Sequence, residues 1–125
     1  MSRLGPRALL LSLSFAYAVA AHAQTPPQER NGVLVDEAGM TVYTFDKDEP
    51  NSGKSNCYDQ CAQNWPPVIA APGSKPQGDY SIIMRNDGQG QWAYRGQPLY
   101  TFIKDKQPGD RNGDNARDVW HVVKP

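Results

Sequence analysis

The chain has 125 residues, 13 basic and 13 acidic, for a formal net charge of zero and a hydrophobic fraction of 38%. That balance gives no clustered basic face of the kind nucleic acid demands. The length suits one domain able to bury roughly two-thirds of its unfolded surface.

The chain opens with Arg3 and Arg7, a mainly apolar run over residues 8–20, and the small residues of Ala21-His22-Ala23. This is the pattern of a secretory signal peptide, residues 1–23, with cleavage expected before Gln24. The apolar run falls short of the roughly 20 residues a membrane span needs, and no other stretch is apolar enough. No cysteine lies near the cleavage position, so no lipid anchor is expected. The expectation is an exported protein, periplasmic in a cell with two membranes. Removing residues 1–23 takes two basic residues and no acidic one, leaving 102 residues with a net charge of −2 and a single histidine, His121.

Residues 24–31, polar with two prolines, read as a disordered lead-in. From residue 32 to 125 the pattern is that of a single, mainly β domain. "VLVDEAGMTVYTF" (33–45) is two apolar runs around a polar turn, a hairpin signal. "SIIMRNDGQGQWAY" (81–94) and "QWAYRGQPLYTFI" (91–103) are two more. With "DVWHVV" (118–123) they predict about six antiparallel strands, near 32–36, 40–45, 80–85, 91–95, 98–103 and 118–123. Pro98 fits only a strand start or edge. One helix is expected in "SNCYDQCAQNW" (55–65), capped by Ser55 or Asn56 and stopped by Pro66-Pro67. Cys57 and Cys61 would then share a helix face at i, i+4. In an oxidising compartment they are expected to form a disulfide. Its short loop contributes about 2 kcal/mol at most by the chain-entropy model.

The phrase "YTFDKD" at 43–48 returns as "YTFIKD" at 100–105. The likeness extends to Gly39 with Gly96, Val42 with Leu99, Pro50 with Pro108 and Trp65 with Trp120. Each half is a hairpin, the phrase, a Gly-, Asp- and Asn-rich loop, then a tryptophan. This is an internal duplication, about 32–70 and 88–123, and two copies in one small domain pack most simply about a pseudo-twofold axis.

The doubled motif, with "SNCYDQCAQNWPP", "DGQGQWAYRGQPLY" and "QPGDRNG…W", resembles a bacterial secreted-repeat family described as predicted lipoproteins bearing a Tyr-x-aromatic-x-x-Asp motif. The resemblance covers about residues 32–123. It implies an exported tandem-repeat domain and assigns no molecular function. The chain departs from the description in having no lipobox cysteine.

Several groups are candidates for chemistry. Tyr43 and Phe45 share a strand face, as do Tyr100 and Phe102, and Asp48 and Asp105 fall just past the strand ends. On a structural reading the phenylalanines fill the core and the tyrosines edge it with bonded hydroxyls. The aspartates then tie down loops through backbone N–H groups. On a functional reading Tyr43, Asp48, Tyr100 and Asp105 line one ligand site on the pseudo-dyad. Trp92 and Tyr94, at i, i+2, would form a stacking platform for a sugar or aromatic ligand if exposed. Asp110, Asn112 and Asp114 suggest a calcium site outside the EF-hand pattern, since position 6 is Asn115 and position 12 is His121. Copper would want Cys57, Cys61, Met40, Met84 and His121, which nothing in the sequence brings together. No Ser-His-Asp or Cys-His set can be argued, because the only mature histidine is His121 and the cysteines are expected to be oxidised. The reading is a non-catalytic exported module for an unknown small ligand or envelope protein. The alternative is a periplasmic redox or copper-handling protein using Cys57 and Cys61.

Overall fold

The computed structural model describes residues 25–125, so the expected signal peptide lies outside the described residues. The described residues are mainly β, with eight short strands, one α-helix and a 3-10 turn at Ala116–Asp118. β1 (Gln28–Arg30) and β2 (Val33–Val35) form an antiparallel hairpin. Its turn, Asn31-Gly32, takes φ of 52° and 84°. Asn-Gly supplies those two positive φ values at little steric cost, and the resulting turn matches the strand twist. The segment read as a disordered lead-in is therefore corrected: residues 28–30 are a paired strand and Pro27 is buried.

β2 continues into the expected first hairpin through Val35 opposite Thr41 and Val42 N–H donating to the Leu34 carbonyl at 3.0 Å. β3 (Tyr43–Phe45) then pairs antiparallel with β8 (Trp120–Val122). In the second half β5 (Tyr80–Met84) and β6 (Gly90–Tyr94) form the expected hairpin, with Ile82 opposite Trp92. β6 also pairs β7 (Gln97–Pro98) across the Arg95-Gly96 turn, and it pairs β4 (Ile69–Ala70), a strand the sequence pattern did not single out. The strand expected over 98–103 is shorter. Leu99 N–H still donates to the Trp92 carbonyl of β6 at 2.9 Å; beyond it the chain leaves β6, and Tyr100 bridges Tyr43 and Pro67 instead.

The two halves are intertwined. Tyr43 N–H donates to the Tyr100 carbonyl at 2.7 Å and Tyr100 N–H donates to the Tyr43 carbonyl at 2.9 Å, so the two motif strands meet antiparallel at their tyrosines. The equivalences extend outward. Leu34 N–H donates to the Val123 carbonyl as Trp92 N–H does to that of Val68; Asp46 N–H donates to Val119 as Ile103 N–H does to Asn64. In this register each motif strand lies beside the tryptophan segment of the other half.

Strand alternation sorts side chains into two cores. Val33, Val35, Tyr43, Phe45, Trp65, Tyr100 and Trp120 share one. Leu34, Val42, Val68, Trp92, Leu99 and Val123 share the other. Val42 and Leu99 hold matched positions and are fully buried, each stabilising by about 1.5–3 kcal/mol.

The helix differs from expectation. α1 spans only Gln60–Asn64, and Asp59 before it has φ of 52°. Cys57 therefore lies outside the helix, and Ser55 and Asn56 cap nothing there because tertiary partners claim them, as described below.

The intertwining has a direct consequence. An engineered protease site in the exposed connection at residues 71–79 should leave the cut halves together as one species in native size-exclusion chromatography, separating only in denaturant. Two species under native conditions would show that the halves do not depend on each other.

Candidate functional site

The repeated phrase builds a closed centre between the halves. In each copy the backbone turns tightly after the phenylalanine, with Asp48 N–H donating to the Phe45 carbonyl at 3.0 Å and Asp105 N–H to that of Phe102 at 3.1 Å. Each carboxylate is thereby carried to the other copy's tyrosine. Tyr43 Oη donates to Asp105 Oδ2 at 2.6 Å, and Tyr100 Oη donates to Asp48 Oδ2 at 2.5 Å. The second oxygen of each carboxylate holds a loop: Asp48 Oδ1 accepts Asn56 N–H at 2.7 Å and Asp105 Oδ1 accepts Asn112 N–H at 2.9 Å. Asn56 and Asn112 then donate their side-chain amides to the carbonyls of Lys47 and Lys104. In the sequence Asn112 is a candidate only for calcium and Asn56 only for a helix cap; neither is marked there as serving a motif aspartate. Their signal was an Asn eight residues after one motif Asp and seven after the other.

The aromatic rings repeat the exchange. Trp65 and Trp120 stack at 3.9 Å with planes 3° apart. Trp65 stacks on Phe102 of the other copy at 4.1 Å, and Trp120 on Phe45 at 4.2 Å. The result is one column, Phe45–Trp120–Trp65–Phe102, with Tyr43 and Tyr100 edge-on to its tryptophans. Each aromatic pair adds about 0.5–1.5 kcal/mol beyond the area it buries. Gly113 lies hard against this column. A Cβ there would stand 2.6 Å from the Trp65 ring, which no side chain tolerates.

The two ends of the centre differ. Tyr43 Oη accepts Gly113 N–H at 3.2 Å. Tyr100 Oη instead meets Ser55 Oγ at 2.7 Å. Ser55 in turn accepts from Arg85 Nη1 at 3.1 Å, and the same nitrogen donates to Gln91 Oε1 at 2.8 Å. Arg85 Nη2 donates to the Cys57 carbonyl at 2.6 Å, and the guanidinium sits over the Tyr58 ring. Arg85, Gln91 and Ser55 are all buried, so an interior cation and the Asp48 carboxylate are joined through two hydroxyls. A strand-end arginine reads in sequence as a solvated charge, and only the fold places it inside.

Tyr43 and Tyr100 are fully buried, and Asp48 and Asp105 are 4% and 7% exposed. Burial, reinforced by the facing carboxylates, pushes both phenol hydroxyls well above their ordinary range. Burial also raises the Asp48 carboxyl, against the opposing pull of Tyr100, the Asn56 N–H and the Arg85 charge.

The remaining candidates are dispersed. Trp92 and Tyr94 share a face, as strand alternation requires, but at 1% and 8% exposure they belong to the second core rather than to an exposed platform. Asp110 Oδ2 accepts the Lys106 and Gln107 N–H groups, Asp114 Oδ1 accepts Val122 N–H, and Asn112 serves Asp105. Among the described residues no group of three His, Cys, Asp or Glu side chains is placed to hold a metal ion. Cys57 and Cys61 form a disulfide, with Cys57 fully buried. Met84 is 62% exposed at the end of β5, and His121 bonds Asp46 at 2.7 Å and Asn115 at 3.2 Å.

An open groove lies elsewhere, between the first strands of the two halves. Its volume is about 520 Å³, and Pro26, Pro27, Glu29, Asp79, Tyr80 and Tyr94 help line it. The Tyr80 and Tyr94 rings are 5.1 Å apart at 51°. One wall of this groove comes from residues 25–29, within the segment whose composition suggests a disordered lead-in.

Tyr100→Phe leaves Asp48 and Ser55 each short of a buried partner, costing about 1–3 kcal/mol, or on the order of 4–8 °C in Tm per kcal/mol. Asp48→Asn should cost less in the Tyr100→Phe background than in the wild type; additive losses would show that the two groups do not act together. The raised Asp48 carboxyl also sets a pH dependence. Its folded form holds the proton more tightly, so its contribution is fully present below the ordinary value of about 3.9 and is lost as pH rises through the folded value. The Tm difference, wild type minus Asp48→Asn, should therefore grow as pH falls from 7 to 4. A constant or shrinking difference contradicts the assignment.

No curated protein and no solved structure matches the chain. A family model, described as a secreted repeat of unknown function, matches twice, at residues 28–69 and 81–124. The two matches divide the chain where the intertwined halves divide, and no helix among the described residues is long and apolar enough to cross a membrane. The first match begins at β1, the strand that completes the first half. The chain belongs to this family of secreted repeats of unknown function, Lipoprotein_15.

Proposed function

We propose that the protein is a non-catalytic exported binding module, working in the periplasm of a two-membrane cell on a small ligand or an envelope partner. One observation carries this reading. The polar groups of the duplicated motif, two tyrosines and two aspartates, are buried and bonded to one another. Strongly raised phenols and carboxylates already engaged at both oxygens are poor acids, bases or nucleophiles. The motif therefore acts as scaffold, and the groove of Tyr80 and Tyr94 offers a concave surface of a size that suits small ligands, about 300–1,000 Å³. Cys57 and Cys61 fit a structural role in the same scheme, since the bridge fixes the turn whose Cys57 carbonyl holds Arg85.

Native mass spectrometry of protein purified from the periplasmic fraction tests this reading. A bound small molecule that is lost in Tyr80→Leu and retained in Asp105→Asn is the expected result. A Cys57–Cys61 reduction potential well above about −300 mV, where structural disulfides lie, together with copper uptake at stoichiometry, would overturn it in favour of the redox and metal-handling alternative.

A further inference from the structure

We infer that the groove between β1 and β5 is a site for a small organic cation, a quaternary ammonium or guanidinium, held against the half-buried Tyr80 ring and the carboxylate of Glu29, with Tyr94 packed behind Tyr80. The inference rests on the proposal that this groove is the binding surface and adds the chemistry of the ligand.

Three features point to positive charge. The charged side chains lining the groove, Glu29 and Asp79, are both acidic. The two rings meet at 51°, so they form an angled wall rather than a flat stack. A cation within about 6 Å of such a face is attracted by the ring quadrupole, more strongly where water is displaced. Finally, the chain already makes this contact once. The Arg95 guanidinium lies over the Tyr94 ring at 5.1 Å and pairs with Asp79 at 3.4 Å. A cation is thus held at the groove rim by one of its tyrosines and one of its carboxylates. Glu29 makes no ion pair or side-chain hydrogen bond among the described residues, leaving its charge available to a second cation. Burial is the main reason the Tyr80 hydroxyl is raised, with Tyr94, Asp79 and Glu29 adding to it, so both carboxylates are felt at this residue.

The neighbouring cavities do not share this chemistry. The one beside Pro67 and Val68 includes Asp36 and Glu37 but has only the buried Trp92 as an aromatic. The one beside Pro108 includes Arg30 and Arg111 and no aromatic.

The test uses the mature chain and two probes of equal shape, choline and its neutral isostere 3,3-dimethylbutan-1-ol, with sodium chloride as the ionic control. Backbone amide shifts are followed by two-dimensional NMR. Choline should give saturable shifts at Glu29, Gly78, Tyr80 and Tyr94, and the neutral isostere should bind at least tenfold more weakly. Glu29→Gln should weaken choline at least fivefold while its Tm stays at the wild-type value, since Glu29 is exposed and outside both cores. Tyr80→Phe keeps the ring and should retain binding, whereas Tyr80→Leu should lose it. Equal binding of the two probes would overturn the cation inference while leaving the groove as a binding surface. Absence of saturable shifts with either probe would overturn both.

Discussion

The fold depends on a single crossing, where the backbones of Tyr43 and Tyr100 exchange hydrogen bonds on the pseudo-twofold axis. Antiparallel pairing at that point carries each strand past the other, so each half's loop ends beneath the other half's ring. The Tyr43–Asp105 and Tyr100–Asp48 hydrogen bonds and the four-ring column follow from this one geometric fact. A buried carboxylate without partners is costly. Here each has a backbone N–H from its own half and a phenol from the other, and the phenol comes into place only when the two copies meet. The same contact that stabilises the interior therefore penalises any arrangement in which the halves fold apart.

Symmetry in the backbone does not extend to the surroundings. One tyrosine hydroxyl faces the Gly113 amide and the other faces Ser55, behind which stands a buried arginine. Where the first half places Cys57 after its loop asparagine, the second places Gly113, and the Trp65 ring fills the space a side chain would need. Asp46 reaches His121, whereas its counterpart Ile103 is exposed to solvent. The edge strands differ as well: β1 carries Glu29 and Arg30, and β5 reads Tyr-Ser-Ile-Ile-Met. Duplication gives a rigid shared centre, and divergence is concentrated where the copies meet different neighbours. The tyrosines and aspartates of the centre are buried and bonded to one another, so the chemical differences between the halves lie at the periphery.

Local chemistry explains which parts were readable in advance. The hairpins around Asn86-Asp87-Gly88 and Arg95-Gly96 were legible because turn residues and alternation are properties of adjacent residues. β1 was missed although Asn31-Gly32 marks a hairpin, because its strand, Gln-Glu-Arg, has no apolar face. Its counterpart β5 before the second hairpin was the available clue, since a duplicated fold needs the same strand twice. The helix is shorter than the sequence suggests because Ser55 and Asn56, which have the chemistry of caps, are claimed by Tyr100, Arg85 and Asp48 instead. Trp92 and Tyr94 were placed on the right face but on the wrong side of the solvent boundary, which alternation alone does not locate.

By itself the sequence determined the mainly β class, the duplication, the pairing of Tyr43 with Tyr100 and of Trp65 with Trp120 as equivalents, and the cysteine pair. Period-two patterning, turn chemistry and internal likeness are all written locally or by comparison of one half with the other. Only the tertiary structure decided that the equivalents touch across the axis, that each tyrosine serves the other copy's aspartate, and that Arg85 is inside. Those outcomes depend on which strand lies beside which, a long-range choice made by burial of the two cores together, and no single segment of the chain encodes it. The groove of Tyr80, Tyr94 and Glu29 belongs to the same class, because its walls come from opposite halves of the chain and exist only once they are joined.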